Sequence, residues 1–162
     1  MTKLNTIDLF AGCGGFTEGF KSSGLYNLIA AVEWDKDAIT SLRNRLTEKW
    51  SYIDSHQIAL HFDIQRTNEL LNGYNDPIYG KSEGLIKIVS DKNVDLVIGG
   101  PPCQAYSMAG RISDKNGMHD DYRNYLFESY LKVVDEFKPR ACIFENVPGM
   151  LSASPNGIPI RN

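Results

Sequence analysis

Thr6-Ile7-Asp8-Leu9-Phe10-Ala11-Gly12-Cys13-Gly14-Gly15-Phe16 passes from apolar, β-branched residues into closely spaced glycines, and residues 17–23 then read as helix. That order is strand, tight turn, helix. Glycine at positions 12, 14 and 15 allows positive φ and close approach of the backbone to a ligand, which any side chain would hinder. The third glycine of a dinucleotide fingerprint is missing at its usual offset, so an adenosine ligand here need not be a dinucleotide. An ordinary glycine-rich βα turn fits the same residues. The next apolar stretch ends in Glu33-Trp34-Asp35, roughly 20 residues on, where nucleotide-binding sheets place an acid on ribose hydroxyls. Trp34 offers a flat face for adenine, or is simply a core or surface tryptophan.

Apolar runs at 6–10, 28–32, 94–98 and 141–144 alternate with amphipathic stretches at 37–50 and 122–137. Such alternation predicts βαβ units, an α/β fold with a parallel sheet flanked by helices. In the second helix Leu126, Phe127, Tyr130, Val133, Val134 and Phe137 recur at helical spacing, and Pro139 stops it.

The run 94–98 leads into Gly99-Gly100-Pro101-Pro102-Cys103-Gln104. Glycines and prolines cannot continue the strand, so the chain leaves the sheet at its carboxyl edge, where open parallel sheets bind ligands. Cys103 therefore stands where a nucleophile would sit, although a lone cysteine also serves as a small apolar turn residue. Ala141-Cys142-Ile143-Phe144-Glu145-Asn146-Val147 ends a further apolar strand in a carboxylate. Burial there predicts a raised pKa and proton donation near neutral pH. Cys142 reads as core and Cys13 as a structural residue of its turn. The three cysteines lack paired spacing, so neither a disulfide framework nor a metal site is indicated.

With Asp63-Ile64, Pro101-Pro102-Cys103-Gln104-Ala105-Tyr106-Ser107 and Arg123-Asn124-Tyr125-Leu126-Phe127 in the same order, residues 5–152 resemble the catalytic half of DNA cytosine-5 methyltransferases. The resemblance implies the Rossmann-like fold of S-adenosylmethionine-dependent methyltransferases, incomplete at its carboxyl end. It implies methyl transfer from S-adenosylmethionine to C5 of a cytosine flipped out of DNA, leaving S-adenosylhomocysteine. Cys103 would attack C6, and Glu145 would act at N3. Phe10, Ala11, Gly12, Gly14 and Gly15 would surround the amino-acid and ribose parts of the cofactor, with Glu33 on the ribose and Trp34 on adenine. Asp63 and Ile64 would meet the adenine edge, Pro102 and Leu126 would close the pocket, and Asn146 would brace Pro102 and Cys103. Gln104, Ser107, Arg111 and Arg123 would contact phosphate or sugar from a closing loop, or serve as surface polar residues.

The 162 residues suit one domain, read as a partial catalytic domain over 1–152 with a connecting insertion at 65–93, and a tail or the start of a missing region at 153–162. The insertion reads as short helices flanking turn-rich residues 72–77, in a solvated connection without chemistry. A net charge of −3 and a pI near 5.6 show no global basic footprint for DNA. Double-stranded DNA is thus expected to be gripped mainly by a recognition region elsewhere, in the same polypeptide or a complementary carboxyl-terminal subunit, and this chain alone is expected to be inactive. No apolar run is long enough for a membrane span, and a cytoplasmic, bacterial nucleoid-associated enzyme of restriction-modification is expected. Two alternatives stay open: a non-catalytic remnant that binds adenosyl ligands, and methylation of cytosine in transfer RNA.

Overall fold

A computed structural model describes residues 2–102 and 126–147 of the protein. Within them β1 (Leu4–Leu9), α1 (Gly15–Ser22), β2 (Tyr26–Glu33), α2 (Lys36–Glu48), α3 (Ser55–Ile58) and β3 (Ala59–His61) form the first half. Helix α4 (Thr67–Asn72), the hairpin β4 (Tyr74–Asp76) and β5 (Gly80–Ser82), and α5 (Leu85–Val89) follow. Strand β6 (Leu96–Gly99), α6 (Leu126–Phe137) and β7 (Ala141–Phe144) complete the described fold. The main sheet has the order β3-β2-β1-β6-β7, and every pairing in it is parallel. The chain winds outward from β1 to β3, then returns beside β1 as β6 and winds the other way. Such reversal opens a crevice at the carboxyl ends of β1 and β6, where doubly wound sheets hold ligands.

Alternation along the strands supplies a core on each sheet face. Leu70, Leu71, Leu85, Val89, Leu126, Tyr130 and Val133 pack with Ile7, Leu9 and Val97 in one cluster, so α4, α5 and α6 contribute to the same core. Ile39, Leu42 and Leu46 of α2 pack with Ala11, Leu28, Ala31 and Ala59 in the other. Helix α2 starts where it does because the Asp35 carboxylate accepts the amides of Asp37 at 3.0 Å and Ala38 at 2.8 Å. Helix α6 ends through Lys138, whose φ of 44° is left-handed, immediately before Pro139. Tyr130 ties that helix to the sheet by donating its hydroxyl to the carbonyls of Val97 at 3.0 Å and Ile143 at 3.3 Å.

Two expectations change. Residues 65–93 are no mere solvated connection, because Leu70, Leu71, Tyr74, Leu85 and Val89 all belong to the larger core. The short helices expected there are α4 and α5, but the residues 72–77 expected as a turn contain strand β4, and the hairpin bends at 77–79 instead. Cys142 is exposed rather than buried. Its strand is apolar, but β7 stands at the sheet edge in the described structure, and Ala141 and Ile143 are exposed with it.

Candidate active site

A cavity of about 430 Å³ opens at the crevice the topology predicts. Three successive strand ends supply its walls: Phe10 after β1, Glu33 and Trp34 at the end of β2, and Phe62, Asp63, Ile64 and Gln65 after β3. Pro102, beyond β6, and Leu126, opening α6, also line it. Thus Phe10, Glu33, Trp34, Asp63, Ile64, Pro102 and Leu126 converge as expected from the sequence, although Ala11, Gly12, Gly14 and Gly15 are not among the lining residues. Val32, Phe62 and Gln65 line the cavity without having been anticipated. Phe62 and Gln65 flank the Asp63-Ile64 pair, so proximity to that motif was the available signal.

Glu33 does more than end a strand. It is only 7% exposed, one carboxylate oxygen accepts the Gly12 amide at 2.8 Å, and the other accepts the Asp35 amide at 2.8 Å. One side chain thereby fastens the glycine turn to β2. Each oxygen retains a further lone pair, which suits a vicinal diol. Division of labour between the neighbouring acids follows: Asp35 caps α2, and Glu33 faces the cavity. Trp34 is 59% exposed beside it, an apolar face at the rim. Phe10 has a φ of 59°, a left-handed conformation that is uncommon for a bulky residue and typical of strain held at functional sites.

Beneath the turn, Gly14 takes a φ of 94°, and a Cβ there would lie 2.6 Å from Leu42 Cδ1. Glycine lets α1 begin against α2, but a glycine N-cap has no side chain for the first helical amides. Asp8, fully buried on β1, reaches across instead: Thr17 donates its hydroxyl to Asp8 Oδ2 at 2.6 Å. Its other oxygen is buried and has no hydrogen-bond partner among the described residues. Burial pushes the Asp8 carboxyl up to about 7 from its ordinary 3.8; the Thr17 bonds oppose that rise, and the nearby Glu33 charge adds to it. The sign follows directly. A raised folded-state pKa gives stability fully present below pH 3.8 and lost as pH rises through about 7. The difference corresponds to about 4 kcal/mol. Asp8→Asn is therefore expected to flatten the pH dependence of unfolding and to be the more stable form at pH 8. Denaturant unfolding between pH 5 and 8 checks this, and parallel profiles for both forms would refute it.

On the other side of the crevice, Glu145 follows β7, its amide donating to Gly99 O at 2.9 Å. A Cβ at Gly100 would lie 2.9 Å from Glu145 Oε2, so glycine is what allows this carboxylate to approach the backbone before Pro101. The Glu145 side chain is exposed, not sunk in apolar surroundings as its strand setting implied, because β7 is an edge strand among the described residues. Asn146 donates to the carbonyl of Pro101 at 3.3 Å, bracing the loop one residue before the expected Pro102 and Cys103. Cys103, Gln104, Ser107, Arg111 and Arg123, with the tail 153–162, lie outside the described residues. Among the described residues there is no cluster of metal-ligating side chains, and no helix is long and apolar enough to cross a membrane.

A doubly wound sheet with an acid, a tryptophan and an aspartate meeting at its switch point has the architecture of S-adenosylmethionine-dependent methyltransferases. Specifically, the chain belongs to the C-5 cytosine-specific DNA methylases, whose family pattern matches residues 4–157. It is 36% identical to the type II methyltransferase M.Bpa9945I of Bacillus paralicheniformis over 91% of its length, and 38% identical to M.DdeI of Desulfomicrobium norvegicum over 92%. It spans 41% and 29% of those two relatives. Among solved structures, a Spodoptera frugiperda DNMT2 shares the fold with a TM-score of 0.58 at 23% identity, covering 98% of this chain and 40% of that one. An Entamoeba histolytica methyltransferase, EhMeth, matches with a TM-score of 0.52 at 17% identity, over 94% and 41%.

Proposed function

We propose that this chain carries the cofactor pocket and nucleophile of a DNA cytosine-5 methyltransferase. One observation carries the reading: Glu33, Trp34 and Asp63 meet in a single cavity whose wall includes Pro102, the residue bonded to Cys103. The residues present fit an adenosyl cofactor. Glu33 suits the ribose diol, Trp34 the adenine face, and Asp63 and Ile64 the adenine edge. Gly12, Gly14 and Gly15 hold the turn that would border its amino-acid part. When bound, S-adenosylmethionine supplies the methyl group that ends on C5.

The remaining steps belong to the chain. Cys103, as thiolate, adds to C6 of a cytosine flipped out of double-stranded DNA; the C5=C6 π electrons shift toward C5, and Glu145 donates a proton or hydrogen bond at N3. After methylation the C5 proton leaves to a base, the electron pair reforms C5=C6, and Cys103 departs as thiolate. Asn146 holds the loop through Pro101. Gln104, Ser107, Arg111 and Arg123 are assigned to phosphate and sugar.

Because the chain spans less than half of either relative, we assign target recognition and most of the DNA grip to residues matching their remainder, in this polypeptide or a complementary subunit. Covalent trapping tests the whole reading. With that remainder supplied and S-adenosylmethionine present, duplex DNA carrying 5-fluorocytosine is expected to give a protein–DNA adduct stable to denaturant, since fluorine at C5 cannot leave as a proton does. Cofactor binding without any adduct would instead favour the remnant, and an adduct only with transfer RNA would change the polymer.

A further inference from the structure

The hairpin of residues 74–82 is the part of the fold that its motifs leave unexplained, and its side chains run to the cofactor pocket. Asp76 Oδ1 accepts the amides of Ile78 at 2.8 Å and Tyr79 at 3.0 Å, which sets the bend. Its other oxygen accepts a hydrogen bond from Arg66 at 2.7 Å. The same guanidinium lies 4.9 Å from the Phe62 ring centre and 5.8 Å from that of Tyr79. Thus clamped, Tyr79 meets His61 edge-on at 4.9 Å and Phe62 edge-on at 5.1 Å. From the hairpin's first strand, Tyr74 stacks on Phe62 at 3.9 Å. His61 Nε2 then donates to the backbone carbonyl of Trp34 at 2.9 Å. Phe62 and Trp34 are two walls of the cavity.

We propose that the hairpin is a positioning element for the adenine end of the pocket, acting through Tyr79 on His61 and Phe62 and through His61 on Trp34. This rests on the cofactor reading above. The physical need is plain: Trp34 is 59% exposed, and β3, which ends at His61, has three residues and stands at the sheet edge among the described residues. Trp34 follows β2, and the His61 bond to its carbonyl ties it to the neighbouring end of this short strand. Aromatic contacts from outside the sheet remove the freedom that binding would otherwise have to freeze. Arg66 and Asp76 are positioning residues at one further remove, because they orient Tyr79 without lining the cavity.

The test uses the 162-residue chain with Trp50→Phe, so that of its two tryptophans only Trp34 reports. Trp34 emission anisotropy is measured without ligand, and the Kd for S-adenosylhomocysteine by calorimetry. Tyr79→Ala is expected to lower the anisotropy and to raise Kd about fivefold to tenfold, the size of one or two lost aromatic contacts. Tyr79→Phe, which keeps the ring, should restore both. Tyr79→Leu keeps the apolar bulk and should behave like the alanine form, which serves if the alanine variant does not fold. Ile78→Ala, on the same bend but 74% exposed, should change neither readout. Wild-type anisotropy and Kd in folded Tyr79→Ala or Tyr79→Leu would overturn the proposal. If the parent chain binds no S-adenosylhomocysteine, the cofactor reading fails. The anisotropy still decides the brace in that case: a fall supports it and no change overturns it.

Discussion

Cys103→Ser is expected to abolish adduct formation with 5-fluorocytosine DNA and to cut methyl transfer by more than about a thousandfold, with the rest of the enzyme supplied. Serine is nearly isosteric, so the loss would be chemical. A thiol with an ordinary pKa of about 8.5 ionises readily enough to add to a polarised ring carbon, whereas a hydroxyl stays protonated without a strong base beside it. Binding of S-adenosylhomocysteine should be unchanged, because the substitution leaves the described cavity walls Glu33, Trp34, Asp63 and Pro102 in place. A serine variant that still forms the adduct would remove Cys103 from the mechanism.

Glu33→Ala is expected to do the reverse, weakening cofactor binding by more than about a hundredfold and also destabilising the fold. The binding loss follows from the two charge-assisted hydrogen bonds to ribose proposed for Glu33, each contributing about 1.5–3 kcal/mol. The stability loss follows from the same carboxylate's structural duty. Alanine leaves the amides of Gly12 and Asp35 without their acceptors in a site only 7% exposed. At about 1–3 kcal/mol for each unpaired buried group, the fold should lose about 2–4 kcal/mol, with re-entering water offsetting part. Calorimetric titration and denaturant unfolding measure the two effects separately. Wild-type affinity in a folded Glu33→Ala chain would take the ribose from Glu33.

These two variants divide the molecule in a useful way. Glu33 belongs both to the pocket and to the scaffold, because evolution of a glycine turn without side chains leaves backbone amides to be satisfied by neighbours. Asp8 shows the same economy one layer down, a strand carboxyl serving the helix that its glycine N-cap cannot serve. Residues that look like pure ligand contacts in such a motif therefore carry stability as well.

Much of the fold is legible in the sequence. Strands β1, β2, β6 and β7 are apolar runs ended by glycine, proline or an acid, and α2 and α6 keep a 3.6-residue apolar stripe long enough to stand out. The pocket residues at the ends of β1, β2 and β6 were legible for the same reason, since a strand's end is a local property and parallel order brings those ends together. Strand β3 was not, because three residues show no period. The hairpin was not, because Tyr74 to Ser82 pairing depends on cross-strand register rather than on neighbours in sequence. Cys142 and Glu145 misled as to burial: an apolar strand looks the same at a sheet's centre and at its edge.

The sequence by itself determined the alternation of strands and helices, the family, and the side chains that meet at the carboxyl edge, all of which follow from patterns within a few residues. Only the tertiary structure decided that Glu33 ties down the glycine turn, that Asp8 is buried with one of its oxygens unpaired among the described residues, and that Tyr79 reaches His61. Those are contacts between segments distant in the chain, set by packing across a sheet, and hydrophobic period carries no information about which distant partner a buried polar or aromatic group will find.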